Sequence, residues 1–74
     1  MVILDGRSVQ ARLLALAERV ERVRERMKLV GITIRTLTQH SRLAESTIED
    51  LLNARIMDER KLEKLELTLD DLGA

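Results

Sequence analysis

Val9, Leu13, Leu16, Val20, Val23, Met27 and Val30 follow one another at steps of four and three. An α-helix gathers residues at that spacing onto one face, whereas a strand would split them between two faces. Gly31 comes directly after the last of them and suits the left-handed residue that closes a helix. Ser8 stands just before the first and suits an N-cap. The pattern predicts one helix over residues 8–30, roughly 34 Å long. Read as a coiled coil, the stripe puts Arg12, Arg19 and Arg26 at g and Gln10, Ala17 and Arg24 at e. Two copies would then oppose arginine to arginine or to neutral residues in either orientation, with no attractive pair. The stripe is therefore expected to pack on later helices of its own chain.

Those helices are legible further on. Thr33 can cap a second one, with Ile34, Leu37 and Ser41 facing inward. Leu43 follows a turn, and Ile48, Leu51 and Leu52 form a third apolar face that stops near Asn53 or Ala54. Asp58 can cap a fourth, carrying Leu62, Leu65, Leu69 and Leu72, with Gly73 behind it. Loops of two to four residues join them, and no strand is expected beyond a piece of two or three residues within 2–4. A chain of 74 residues has room for one domain, residues 1–74.

Composition removes several kinds of function. There is no Cys, so neither a disulfide scaffold nor a thiolate metal site can form. The single His40 is expected at the surface, and it leaves no two-histidine chemistry. With no cysteine nucleophile and no phosphate-cradling glycine loop, an enzyme is not expected, nor a cofactor, a metal or a small-molecule ligand. No apolar run reaches membrane-spanning length, and Met1-Val2-Ile3-Leu4 lacks the lead-in of a signal peptide, so the expected location is the cytoplasm.

The run from Thr33 to Arg55 carries the functional signal. Two short helices around a tight turn can present the second as a rod to the DNA major groove. Val23-Arg24-Glu25-Arg26-Met27-Lys28-Leu29-Val30-Gly31-Ile32-Thr33, then Leu37-Thr38, then Glu45-Ser46-Thr47-Ile48-Glu49-Asp50-Leu51-Leu52-Asn53-Ala54-Arg55 resembles the phage repressor and Cro-type helix-turn-helix family (the xenobiotic-response-element-like group) without a gap. The resemblance spans about residues 20–72. Arg42 stands where the family usually has its turn glycine, and Ala44 where it often has a capping Ser or Thr.

The resemblance implies an all-α domain with a helix-turn-helix over about 33–55; the family usually has a fifth helix where the spacing here gives four, and the long N-terminal helix read from the spacing is unusual for it. It implies base reading by Ala44, Glu45, Ser46, Glu49 and Asp50, and phosphate contacts from Arg35, Arg42, Asn53 and Arg55. Three of the five base-reading positions are acidic; carboxylates accept from cytosine N4, but they oppose phosphate. Ser46 and Glu49 could instead form a capping box.

The cations lie elsewhere. Residues 1–43 have nine Lys or Arg against four acids, and residues 44–74 four against nine. Arg12, Arg19 and Arg26 recur on one face with no acid three or four residues away, so they form a candidate second basic surface. Leu14, Leu29, Leu67 and Val2-Ile3-Leu4 fall off the stripes and would either close the monomer's core or meet a second copy. The expected function is that of a bacterial or phage transcriptional regulator, binding double-stranded DNA as a homodimer. The alternative is a protein-interaction module on the same scaffold, such as a DNA-mimicking or regulator-binding small phage protein.

Overall fold

The computed structural model describes residues 6–74, with side chains from residue 11 onward. Over these residues the chain is all-helical: α1 is Gly6–Val30, α2 Ile34–Ser41, α3 Glu45–Leu52 and α4 Glu59–Asp71, with no strand and no fifth helix. The expectations for residues 2–4, and for the side chain of Val9, lie outside the described residues. Helix α1 already runs from Gly6, so Ser8 lies inside it rather than at its cap.

The core is wholly aliphatic. Val20, Val23 and Met27 of α1 meet Leu37 of α2, Ile48, Leu51 and Leu52 of α3, and Leu62, Leu65 and Leu69 of α4. Ile34, Leu43 and Ile56 pack around this cluster. Burying each such side chain stabilises by roughly 1.5–3 kcal/mol. Ser41 is the polar member of the inward face of α2; its Oγ accepts from the Leu43 N–H, so its burial leaves nothing unpaired.

Only part of the long stripe reaches this core. Leu13 and Val30 are 43% and 51% exposed. Val30 is displaced by the way α1 ends. Gly31 takes φ +76°, and the N–H groups of Gly31 and Ile32 both donate to the Met27 carbonyl. That closure turns the chain so that Ile32, not Val30, packs against the core. Leu13 is uncovered because α1, at 25 residues and about 37 Å, outruns α4, at 13 residues and about 20 Å. Of the apolar residues left off the stripes, Leu14, Leu29 and Leu67 all stay exposed, so they do not close this core.

Of the four N-caps offered by the sequence, at Ser8, Thr33, Ser46 and Asp58, two form. The Thr33 Oγ1 accepts from the Thr36 N–H, and the Asp58 side chain accepts from Lys61 N–H. Ser46 and Glu49 do not form a capping box: α3 begins one residue before Ser46, and its N-cap is Ala44, which offers no side-chain acceptor. The loop from α3 to α4 has six residues counted with its caps, longer than the spacing suggested. Asn53 keeps an ordinary φ of −94°, and Ala54 takes the left-handed conformation at φ 56°.

Arg42, at φ 63°, is the other non-glycine residue in that conformation. A side chain there costs roughly 1–2 kcal/mol. Arg42→Gly and Ala54→Gly are each expected to stabilise the domain by about 0.5–1 kcal/mol, raising the melting temperature by roughly 2–8 °C. In the opposite direction, Leu65→Ala should cost about 2–5 kcal/mol in urea unfolding, because Leu65 is fully buried between helices.

Candidate nucleic-acid interface

Helices α2 and α3 have eight residues each and are joined by residues 42–44. The fold spends one side of α3 on the core through Ile48, Leu51 and Leu52. The other side is left to solvent. Glu45, Ser46 and Glu49 are exposed, Ala44 is exposed at the N-cap, and Asp50 is half-buried at the edge. The five residues expected to read bases are thus held on one short helix and its cap, and four of them are open to a partner.

The four expected phosphate contacts fall on α2 and at the two ends of α3. Arg35 lies in the first turn of α2, Arg42 at its C-cap, Asn53 at the C-cap of α3 and Arg55 in the following loop. All four are exposed. Arg35 and Arg42 make no ion pair among the described residues. Arg55 leans on Asp50, with Nη1 3.4 Å from Oδ1. The pair is long and open to solvent, so it holds Arg55 only weakly, while offsetting one of the acids of α3.

Two cations absent from the expected set stand at the same end. Arg24 donates from Nη1 to the carbonyl of Leu52, the last residue of α3, at 3.1 Å. It satisfies one of the carbonyls that a helix end leaves unpaired. Lys28 lies one turn further along α1. The two line a shallow groove of about 450 Å³ with Thr33, Leu52 and Asn53. Their place on the flank of α1 was legible; their position beside α3 depends on how the helices cross.

The arginine row is different from what its spacing suggests. Arg19 donates to Glu66 through Nε at 3.2 Å and through Nη2, and its Nη1 reaches Glu59 Oε1 at 3.1 Å. Arg26 donates to Asp70 and, at 2.6 and 3.1 Å, to the carbonyl of Ala74. These two arginines are therefore not a free basic surface. They fasten α1 to α4, because α4 runs alongside α1 in the same sense with acids at matching heights. Arg12 alone of the three is exposed and makes no ion pair among the described residues.

The Arg19 guanidinium is held above its ordinary pKa, chiefly by its hydrogen bond to Glu66, against a smaller opposing effect of burial. A raised value stabilises the fold at every pH below the ordinary guanidinium range and is lost only above it. Arg19 therefore adds no pH dependence near neutrality.

His40 is exposed, and its Nδ1 lies 2.9 Å from the Thr36 carbonyl. Among the described residues no group of side chains could hold a metal ion, and no helix is long and apolar enough to cross a membrane. No family model matches the chain, and neither does any curated protein or solved structure.

Replacing both clamp residues, as Arg19→Gln with Arg26→Gln, is expected to lower stability by about 1 kcal/mol. The difference from the parent should shrink in urea titrations at about 1 M salt, where the Debye length is near 3 Å. An unchanged difference would mean that packing, not charge, is what the two arginines supply.

Proposed function

We propose that this chain is a sequence-specific DNA-binding regulator whose α2 and α3 act as a helix-turn-helix, with α3 entering the major groove. The observation that carries this reading is the polar side of α3. It is backed by Ile48 and Leu51, bears Glu45, Ser46 and Glu49 in the open, and follows α2, whose exposed Arg35 and Arg42 make no ion pair among the described residues. Resemblance of residues 20–72 to the repressor and Cro-type family supports the same reading.

The division of labour follows from charge. Arg35, Arg42, Asn53 and Arg55, joined by Lys28, hold the phosphates and fix the register. Ser46 and the carboxylates of Glu45, Glu49 and Asp50 face the bases, where an acceptor selects cytosine N4. An acidic reading helix gains little from phosphate attraction, so binding of unrelated sequences is weak and discrimination falls to base contacts. The regulator acts as a dimer on a two-fold site, in a bacterial or phage cytoplasm, and represses by occupying DNA that polymerase needs.

Selection from random duplex DNA should enrich a two-part palindromic motif containing cytosine. Arg35→Ala combined with Arg42→Ala should weaken binding to every sequence and reduce the slope of log K against log salt by about 1.8, or 0.9 per lost phosphate contact. An unchanged slope would remove these arginines from the interface.

A second reading is favoured by the acidity of α3 and by the commitment of Arg19 and Arg26 to α4. In it the scaffold docks on a basic protein surface and never meets DNA. Asp50→Asn separates the two, because it removes a negative charge and releases Arg55. Binding to unrelated DNA should strengthen about threefold or more in the first reading, by analogy with one gained charge contact. In the second, neither parent nor variant binds DNA.

A further inference from the structure

The ends of α1 and α3 come together beside the start of α2, and the shallow groove of about 450 Å³ runs between them. Its floor is apolar. Met27 and Leu52 are buried there, and Ile32 and Ile34 are half-buried. Gly31 forms part of the wall. A side-chain carbon placed on it would meet nothing within 4 Å, so no neighbouring atom crowds the groove at that point.

The charges of this groove have one sign. Arg24 and Lys28 stand one helical turn apart on α1; both line the groove, and no acid lines it. Neither takes part in an ion pair among the described residues. Glu21 and Glu25, the acids three residues before them, lie outside the groove. Arg24 is also held in place. Its bond from Nη1 to the Leu52 carbonyl, at 3.1 Å, fixes the guanidinium against the wall and leaves further N–H donors of the fork unused by that bond. Like charges on adjacent turns disfavour each other, so an anion set between the two gains from both.

An apolar floor beneath two unpaired cations is complementary to a molecule with an apolar tail and an anionic head. The volume falls within the range of small-molecule sites, roughly 300–1,000 Å³. The four apolar side chains of the floor are too few for a protein interface, which takes about 800 Å² from each partner. We infer that this groove binds a small amphiphile with a carboxylate head and a short apolar tail. The carboxylate lies between Arg24 and Lys28, where the planar guanidinium matches it. The tail lies along Met27, Ile32, Ile34 and Leu52. The site needs no DNA, so it goes beyond the proposed function and stands independently of it. Lys28 also belongs to the proposed phosphate contacts, and bare phosphate is therefore one arm of the test.

The test is an NMR titration of the whole isotope-labelled chain with octanoate. Octanol, acetate and inorganic phosphate are the comparisons. Octanoate is expected to bind with a Kd of about 1 mM or below, as suits so small a ligand, and to move the amide signals of Gly31, Ile32, Ile34 and Asn53. Each comparison molecule lacks the head or the tail and should bind at least about tenfold more weakly. Lys28→Glu should weaken octanoate binding at least about tenfold, by putting an acid on the rim. Arg24→Gln retains an N–H donor for the Leu52 carbonyl and should weaken it at least about threefold. Both substitutions should leave the helical circular dichroism unchanged. Amides that stay unmoved at about 10 mM octanoate overturn the inference. So does equal binding of octanol, which would make the groove a plain apolar patch, or of acetate or phosphate, which would make it a bare anion site. Movement of the same amides with protein concentration alone would give the groove to a second copy and overturns it too, as does octanoate binding indifferent to both substitutions.

Discussion

Ten aliphatic side chains, drawn from all four helices, hold this domain together, and no aromatic ring helps them. Leu, Ile, Val and Met fill space only where backbones come close, so the helices must meet over a short, dense centre. The centre sits against the second half of α1. Everything else follows from that placement: α2 and α3 are short because they only bridge the centre, α4 flanks it, and the first half of α1 is left over.

Charge acts at the second level. The chain is neutral as a whole, yet its first part is basic and its last part acidic. Folding brings the two into contact along α1 and α4, where Arg19 and Arg26 find Glu59, Glu66 and Asp70. The basic character of the first part is thereby partly consumed inside the molecule. Among the described residues, the cations left exposed and out of any ion pair include Arg12, Arg22, Arg24 and Lys28 on α1 and Arg35 and Arg42 on α2 and its cap. Such a distribution gives no broad basic face, so on the proposed DNA-binding reading selectivity would come from the few groups that α3 presents.

The two non-glycine residues in left-handed backbone flank the same helix, Arg42 before α3 and Ala54 after it. At Arg42 the conformation suits the turn, while the guanidinium stays exposed at the edge of the proposed interface. A glycine would relieve the backbone and remove the charge. That trade gives a physical reason for an arginine to stand where the turn geometry favours glycine. No comparable reason is visible for Ala54, which is exposed.

The helices, their order and most of their inward faces were legible in the sequence, because apolar spacing and caps such as Thr33 and Asp58 are local properties of the chain. The left-handed closure at Gly31 was legible for the same reason. The fate of the ends of the α1 stripe was not. Leu13 and Val30 have the same spacing as Val20 and Val23, and only the length of α4 and the turn at Gly31 decide which are covered. Nor did spacing show that Arg19 and Arg26 are engaged, since their acids lie forty or more residues away, or that Arg24 caps α3. Local pattern determined that this chain makes helices and which side of each is apolar. Tertiary structure decided which apolar residues are buried and which charges are free, because both depend on what lies across from them.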